Sequence, residues 1–319
     1  MISLKRISLF TFAIALAISC TAVYVSAQQP PLSIKPLRPS QKASVMQTLG
    51  VTDITITYSR PPVKGRTIFA DAPATMEARA KGEATLDNQN ERKPGEPIVP
   101  YNHVWRAGAN EATMFQVTDD VLINGQPLKA GTYSMHTVPG KDEWTIIFNS
   151  DAGQWGSFSY DSAKDVLRVK TKPQSVADNQ EWLLYTFDPV TDNSATVNIR
   201  WEKTRVPFTV EIKDVKAVWR AKADALIAAN PTNEALPLQV ASTYFRDKNY
   251  DEALKYADQS IKVKETFGNL SRKATILWAT GKKEEALKVA DAAIAKGKAD
   301  KANTTAFEKT VADMRAGKQ

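Results

Sequence analysis

Cysteine and histidine are almost absent from this chain of 319 residues. Cys20 is the only cysteine, and His103 and His136 are the only histidines. A single cysteine excludes a disulfide within the chain and a zinc site built from several thiolates. The two histidines have no second ligand at the spacing that metal sites use, so they do not indicate zinc or copper. The sequence therefore predicts no metal and no cofactor.

A large charge excess and the signature of a common hydrolase are also missing. The 42 Lys and Arg residues against 35 Asp and Glu residues give a formal net charge of +7, and no long run concentrates it. A mild excess that is spread along the chain does not favour a nucleic-acid partner. Residues 153–157 lack the G-x-S-x-G pattern of a serine nucleophile. We therefore predict no nucleic-acid partner, and we assign no catalytic residue.

The N-terminus has the pattern of an export signal. Lys5 and Arg6 precede residues 7–25, which are apolar or small and carry no charge. Val25-Ser26-Ala27 then places small residues where signal peptidase requires them. This pattern predicts a signal peptide over residues 1–27 and an exported protein of the periplasm or cell envelope.

Two alternatives to cleavage after Ala27 remain open. The apolar run approaches the length that spans a membrane, so an uncleaved anchor is one alternative. Ala17-Ile18-Ser19-Cys20 is a loose lipoprotein box, and lipidation at Cys20 is the other. We expect membrane contact only if the signal is uncleaved or if Cys20 is lipidated.

Alternating hydrophobicity dominates the middle of the chain. Residues 28–42 are rich in proline and predict a linker, whereas residues 43–212 follow a period of two. Asn124-Gly125 after a short apolar run is a strong hairpin signal. No long helix separates the later predicted strands, which favours an antiparallel β-sandwich over parallel crossovers. After residue 130 these strands are predicted at 131–138, 144–148, 166–170, 182–187, 195–201 and 206–212.

One polar insertion interrupts this pattern. Residues 71–97 are charged and contain few large apolar side chains. Such a composition is typical of a surface loop. We predict a loop here, with a turn or two of helix near residues 75–81.

The last part of the chain, residues 213–319, predicts an all-α segment. Its hydrophobic period changes to 3.6, and a first helix over 217–229 is predicted to end before Pro231. A Glu-Ala-Leu triplet at 252–254 recurs 33 residues later at 285–287, with matching alanines around it. We predict tetratricopeptide-like repeats, although the spacing is one residue shorter than usual for that repeat, and an ordinary helical bundle is the alternative.

Three blocks in the β domain combine polar and aromatic residues. They are YSRPPVKGRTIF at 58–69, VPYNHVWRAGANEAT at 99–113 and AGTYSMHTVPG at 130–140. In this order the blocks resemble the domain-of-unknown-function family 2911 of exported bacterial proteins. The resemblance covers about residues 43–212 and implies export and a β domain, but no known activity. The chain departs from the family at the insertion 71–97 and at His136, where the family tends to have an apolar residue.

Eight residues of the first two blocks are candidates for ligand binding. Their cations would repel one another, so Glu111 or an anionic ligand is expected to supply a counter-charge. Tyr58 and Trp105 offer flat faces on which a sugar ring or a guanidinium group stacks. The alternative is a buried network that pins a loop to the sandwich. The candidates are Tyr58, Arg60, Lys64, Arg66, Trp105, Arg106, Asn110 and Glu111.

Our first functional hypothesis is a binding module of the cell envelope. Its β domain would hold a small polar or anionic ligand, and its helical segment would contact a protein partner. One alternative is an envelope hydrolase that uses Glu111 as acid or base, with a second carboxylate. The other is a purely structural role. The candidates for the second carboxylate are Asp119, Asp120 and Asp161.

The large aromatic residues outside the three blocks are assigned to packing. Those at 144, 155, 160, 182 and 201 are predicted to lie in the core of the sandwich or at its rim.

Overall fold

The computed structural model of the protein describes residue 34 and residues 37–80, 86–87 and 92–317. The predicted signal peptide and Cys20 lie outside these residues. The chain divides into two compact units, Met1–Arg38 and Pro39–Gln319, and the fold below is that of the second unit. Within the part of the chain that the structure describes, no helix has the length and apolar character needed to cross a bilayer.

Twelve strands precede most of the helices in the described residues. The strands are β1 (Gln41–Leu49), β2 (Thr52–Arg60), β3 (Phe69–Ala70), β4 (Val99–Pro100), β5 (Thr113–Val117), β6 (Val121–Ile123), β7 (Gln126–Leu128), β8 (Gly131–Val138), β9 (Trp144–Asn149), β10 (Asp165–Thr171), β11 (Gln174–Val190) and β12 (Ser194–Glu211). The helices are α1 (Ala74–Glu77), α2 (Val215–Ala229), α3 (Ala235–Arg246), α4 (Tyr250–Val263), α5 (Phe267–Ala279), α6 (Lys283–Ala299) and α7 (Thr305–Arg315).

Two antiparallel sheets form the β part. The larger has the strand order β1-β2-β5-β8-β9-β10, and the smaller has the order β11-β12-β6-β7. Strands β3 and β4 form a separate parallel pair of two residues each. One apolar core contains residues of both sheets, among them Phe115 and Phe148 of the larger sheet and Phe208 of the smaller. The predicted fold class, an antiparallel sandwich followed by helices, is confirmed.

Local sequence signals account for the hairpins. In β2 the side chains of Ile54 and Ile56 are fully buried, whereas Asp53 is exposed and Thr55 is partly exposed. A sheet with one covered face requires this alternation. Asn124 and Gly125 join β6 to β7 with φ angles of 46° and 80°. A two-residue hairpin of the right twist needs this left-handed pair, and Asn-Gly adopts it readily.

Two predicted strands, 195–201 and 206–212, are one strand in the structure. They form β12, which runs from Ser194 to Glu211 without interruption. Glu202 has a φ of 49° within it, and its pairing with Gln180 of β11 lies between two register shifts. The irregularity is therefore a bulge inside one strand and not a loop between two.

The polar insertion is less superficial than its composition predicts. Helix α1 forms within it, and Met76 and Leu86 are fully buried. Asp87 and Glu96 are also buried, with 8% of each residue exposed. The prediction of a surface loop is wrong for these four residues, because the insertion covers the side of the sandwich that carries the polar blocks.

The helical segment is held together by small residues at its contacts. Ala253 and Ala257 of α4 are fully buried, and so are Ala286 and Ala290 at the repeated positions of α6. Alanine allows helix axes to approach closely. Helix α3 contacts α4 and α5 contacts α6, which is compatible with tetratricopeptide-like repeats.

Helix α2 connects the two parts. Its N-cap residue is Asp214, whose side chain accepts a hydrogen bond from the backbone N–H of Ala217 at 2.9 Å. Val215 and Val218 pack against the core of the sandwich. Lys222 Nζ lies 2.7 Å from Asp119 Oδ2. The first helix is therefore attached to the sandwich by both apolar and charged contacts.

Candidate functional site

An open cavity of 470 Å³ lies beside the first two polar blocks, and we call it the first cavity. A volume of this size is typical of small-molecule sites. Five of the eight candidate residues line it, together with residues of the insertion and of the loop before β10. The five are Lys64, Arg66, Trp105, Arg106 and Asn110.

One wall of the first cavity is the turn that follows β2. The N–H groups of Val63 and Lys64 donate to Glu181, to its carbonyl oxygen at 2.8 Å and its Oε1 at 2.9 Å. The Arg66 guanidinium then folds back onto this turn, with Nε donating to the Val63 carbonyl at 3.0 Å and Nη2 donating to the carbonyl of Pro62. The turn is thus fixed to β11, and it holds two exposed cations at the cavity.

A second wall is the loop between β4 and β5. Ala107 and Asn110 have φ angles of 51° and 61°, an arrangement that costs energy in any residue but glycine. Three side chains hold this loop: Tyr185 Oη donates to the Ala107 carbonyl at 2.7 Å, Thr113 Oγ1 donates to it at 2.9 Å, and Trp105 Nε1 donates to the Gly108 carbonyl at 3.0 Å. The strained loop is therefore fixed before any ligand arrives.

The floor of the first cavity contains a buried ion pair. Arg106 Nε lies 2.8 Å from Asp87 Oδ2, and both side chains are at least 90% buried. Arg106 also donates through Nη2 to the Asp87 carbonyl at 2.8 Å and through Nη1 to the Asn110 carbonyl at 2.9 Å. A Cβ at Gly156 would lie 2.5 Å from Arg106 Cζ, so the guanidinium group rests directly on that glycine. Asp87 supplies the counter-charge that the sequence analysis expected from Glu111 or from a ligand.

A chain of buried polar side chains continues from Asp87 into the sandwich. Ser157 Oγ donates to Asp87 Oδ2 at 2.8 Å, and His136 Nδ1 lies 3.2 Å from Ser157 Oγ. On its other side His136 Nε2 lies 3.1 Å from Ser134 Oγ. Burial lowers the pKa of His136 to about 4, because the interior disfavours the charged imidazolium. His136 is therefore a neutral part of the network at ordinary pH.

The remaining cation of the first cavity comes from the insertion. Arg92 donates through Nη2 to the Leu86 carbonyl at 3.1 Å and through Nε to the Pro97 carbonyl at 3.2 Å. Burial lowers the pKa of Arg92; the carboxylates of Asp87 and Glu96 oppose this shift, and the guanidinium groups of Arg106 and Arg66 add to it. Burial is therefore the main cause of the lowered pKa.

The charges around the first cavity are unequal. Lys64, Arg66, Arg92 and Arg106 line it, and Asp87 is the one carboxylate among the described lining residues. Asp87 is already paired with Arg106. Among the described lining residues, positive side chains thus outnumber carboxylates, and Lys64 and Arg66 are the exposed ones.

Aromatic side chains lie at the rim of the first cavity. Trp155 lines the cavity and is 52% exposed. Phe158 is 49% exposed, and its ring centroid lies 5.7 Å from Arg106 Cζ. The predicted stacking faces are elsewhere: Trp105 is 3% exposed and stacks on Trp201 at 5.8 Å. The ring surface that a ligand would meet is therefore that of Trp155.

Three candidate residues do not line the first cavity. Tyr58 is buried and lies edge-on to Tyr185, with 4.5 Å between the ring centroids. Tyr58 and Glu111 line a smaller cavity of 130 Å³. Arg60 Nε donates to the Leu183 carbonyl at 2.8 Å. The candidate cluster is thus divided between a charged cavity and structural contacts.

Four residues beside the first cavity are not predicted as site residues by the sequence. Asp87 and Arg92 belong to the insertion, whose polar composition predicted a loop away from the sandwich. Trp155 was predicted to lie in the core or its rim, and Gly156 belongs to a segment that was considered only as a serine-nucleophile motif. Met76 and Leu86 could have predicted that the insertion packs against the sandwich, because large apolar side chains in a polar segment indicate that the segment folds back onto the domain.

Comparisons with known proteins agree with the sequence resemblance. Residues 85–210 match the model of a family described as "Protein of unknown function (DUF2911)". The matched segment contains the blocks at 99–113 and 130–140, and the block at 58–69 precedes it. No curated protein and no solved structure matches the chain. The resemblance to the domain-of-unknown-function family 2911 is therefore confirmed for residues 85–210.

Proposed function

We propose that the protein is an exported binding protein of the cell envelope that holds a small anionic ligand in the first cavity. The observation that carries this proposal is the charge at a cavity of 470 Å³: Lys64 and Arg66 line it and are exposed, and Asp87, the one carboxylate among the described lining residues, is paired with Arg106. Like charges held together cost free energy that an anion recovers. Guanidinium groups also match the planar geometry of carboxylates and phosphates.

The cations of the first cavity have different roles in this proposal. Arg106 is held by the Asp87 carboxylate and two backbone carbonyls, so it orders the loop and contributes positive potential. Lys64 and Arg66 are exposed at the cavity, and the Arg66 guanidinium is oriented by its hydrogen bonds to the carbonyls of Val63 and Pro62. The structural and the ligand-binding hypotheses thus apply to different residues of one cluster.

The hydrolase alternative has weaker support. Glu111 lines the 130 Å³ cavity and not the larger one. The carboxylates predicted to accompany it have other contacts: Asp119 pairs with Lys222 at 2.7 Å, and Asp120 pairs with Lys129 at 2.8 Å. Asp161 accepts a hydrogen bond from the N–H of Ala163 at 2.9 Å, as a helix cap does. These are the contacts of structural and surface carboxylates.

The helical segment is proposed to contact a protein partner. A cavity of 290 Å³ between α2 and α3 favours this role, since its lining includes Trp219 and Leu226. Leu226 is 53% exposed. An exposed apolar side chain beside a groove is a common feature of peptide-binding surfaces.

Thermal shift and titration calorimetry test the anion-binding proposal. We expect galacturonate, citrate or inorganic phosphate to raise the melting temperature at low ionic strength and glucose to leave it unchanged. Arg66→Gln should weaken anion binding about tenfold, because it removes a charge-assisted contact. Arg220→Gln, which neutralises an exposed arginine of α2, is the matched control and should bind like the wild type. The absence of any anion-dependent stabilisation of the wild type would refute the proposal.

A further inference from the structure

A second cavity of 530 Å³ adjoins the first. Arg66, Arg92 and Ile98 line both cavities, so the two guanidinium groups stand at the junction between them. Each cavity alone has the volume of a small-molecule site. A ligand that fills both must be longer than one compact anion.

The second cavity is also positively charged. Lys93 lines it and is exposed. Glu96 is the one carboxylate among its described lining residues, and Glu96 Oε2 accepts hydrogen bonds from Arg79 Nη2 at 2.7 Å and from the Lys93 N–H at 3.0 Å. The hydrogen bond from Arg79 lowers the pKa of Glu96, so this carboxylate is charged and already paired. The positive side chains of Arg66, Arg92 and Lys93 are thus spread along the two cavities.

The distribution of charge and ring surface restricts the ligand further. The cations are spread over two adjoining cavities and are not gathered around one point, which suits anionic groups separated along a chain. Trp155 adds an exposed ring face at the first cavity. An indole face packs against the apolar face of a flat or ring-shaped group. A chain of rings that each carry a carboxylate has both properties.

We infer that the ligand is an acidic oligosaccharide that occupies both cavities. One sugar ring lies against Trp155 in the first cavity, and its carboxylate faces Arg66 and Arg92 at the junction. The following sugar unit enters the second cavity, where its carboxylate faces Lys93. This inference rests on the proposed anion-binding function and names the class of ligand for the same site.

Titration calorimetry with galacturonate oligomers of one to four units tests this arrangement on the full-length chain. We expect the trimer to bind about tenfold more tightly than the monomer, because a second carboxylate gains a partner. Lys93→Gln should weaken trimer binding about threefold and leave monomer binding unchanged. Trp155→Ala should weaken both about tenfold. Lys262→Gln, an exposed lysine of α4, is the matched control and should change neither affinity.

The outcomes separate this inference from the proposed function. Equal affinities for monomer and trimer, or a Lys93→Gln variant that binds the trimer like the wild type, would overturn the two-cavity arrangement and leave the anion site intact. Short polyphosphates that bind more tightly than galacturonates, with no effect of Trp155→Ala, would overturn the sugar assignment. If no anionic probe binds the wild type, the proposed function fails as well. Melting temperatures within a few degrees of the wild type identify variants that have kept their fold.

Discussion

The β part and the helical segment bury different kinds of side chain. Beneath the first cavity the sandwich buries Asp87, Arg106 and His136 in one hydrogen-bonded network. The core of the helical segment is built largely around alanines such as Ala286 and Ala290, and its buried polar side chains serve mainly the ends of helices. Burying charge costs free energy that packing alone avoids. We propose that the sandwich retains its network to position the proposed anion site, whereas the helices are held together by packing.

The largest effect should follow from breaking the buried ion pair. Asp87→Asn leaves Arg106 buried without its carboxylate, and removing one member of such a pair costs about 3–5 kcal/mol. Urea unfolding measures this change in the free energy of unfolding. Asp120→Asn is the control, because Asp120 pairs with Lys129 at 2.8 Å where both side chains are at least 60% exposed, and an exposed pair contributes less than about 1 kcal/mol. Equal effects of the two substitutions would show that the network beneath the cavity has no special role in stability.

The next effect is a loss of stability in acid that depends on His136. Its pKa is lowered from 6.5 to about 4 in the fold, so the unfolded chain binds more protons between these values. The free energy of unfolding therefore falls as the pH decreases through this window, by about 3 kcal/mol in total, and is unaffected by His136 above it. The charged groups near the ring are Asp87, Asp151, Asp165 and Arg106, and all are present in both proteins when the wild type is compared with His136→Gln. If the two lose stability in parallel from pH 6.5 to pH 4, His136 does not cause the loss.

Much of the fold follows from local patterns. The alternation of Ile54 and Ile56 predicts a half-covered strand, and Asn124-Gly125 predicts the turn after β6. The break expected between residues 201 and 206 does not occur. A single left-handed residue, Glu202, absorbs the irregularity within β12, and alternation alone does not distinguish a bulge from a loop.

The site was predictable only in part, because it depends on contacts between distant segments. The sequence identifies Arg66 and Arg106 as cations of one region. It does not show that Asp87 reaches Arg106 across 19 residues, since that contact depends on how the insertion folds back. The sequence predicts a stacking face at Trp105 and core or rim packing for Trp155, but Trp105 packs on Trp201 and Trp155 is 52% exposed. Exposure is decided by tertiary packing, which composition does not record.

The smallest effect should come from a packing defect in the helical segment, and it tests whether the two parts are separate in function. Ala286 is fully buried in α6, so Ala286→Leu inserts a larger side chain where helices meet and should cost about 1–3 kcal/mol. Because the first cavity lies in the sandwich, galacturonate affinity measured by calorimetry should remain at the wild-type value. Ala299→Leu, at the exposed end of the same helix, is the control and should change neither quantity. A loss of anion binding in Ala286→Leu with the fold intact would show that the helical segment supports the site. The proposal that only the sandwich positions the site, and that the helices contribute packing alone, would then be wrong.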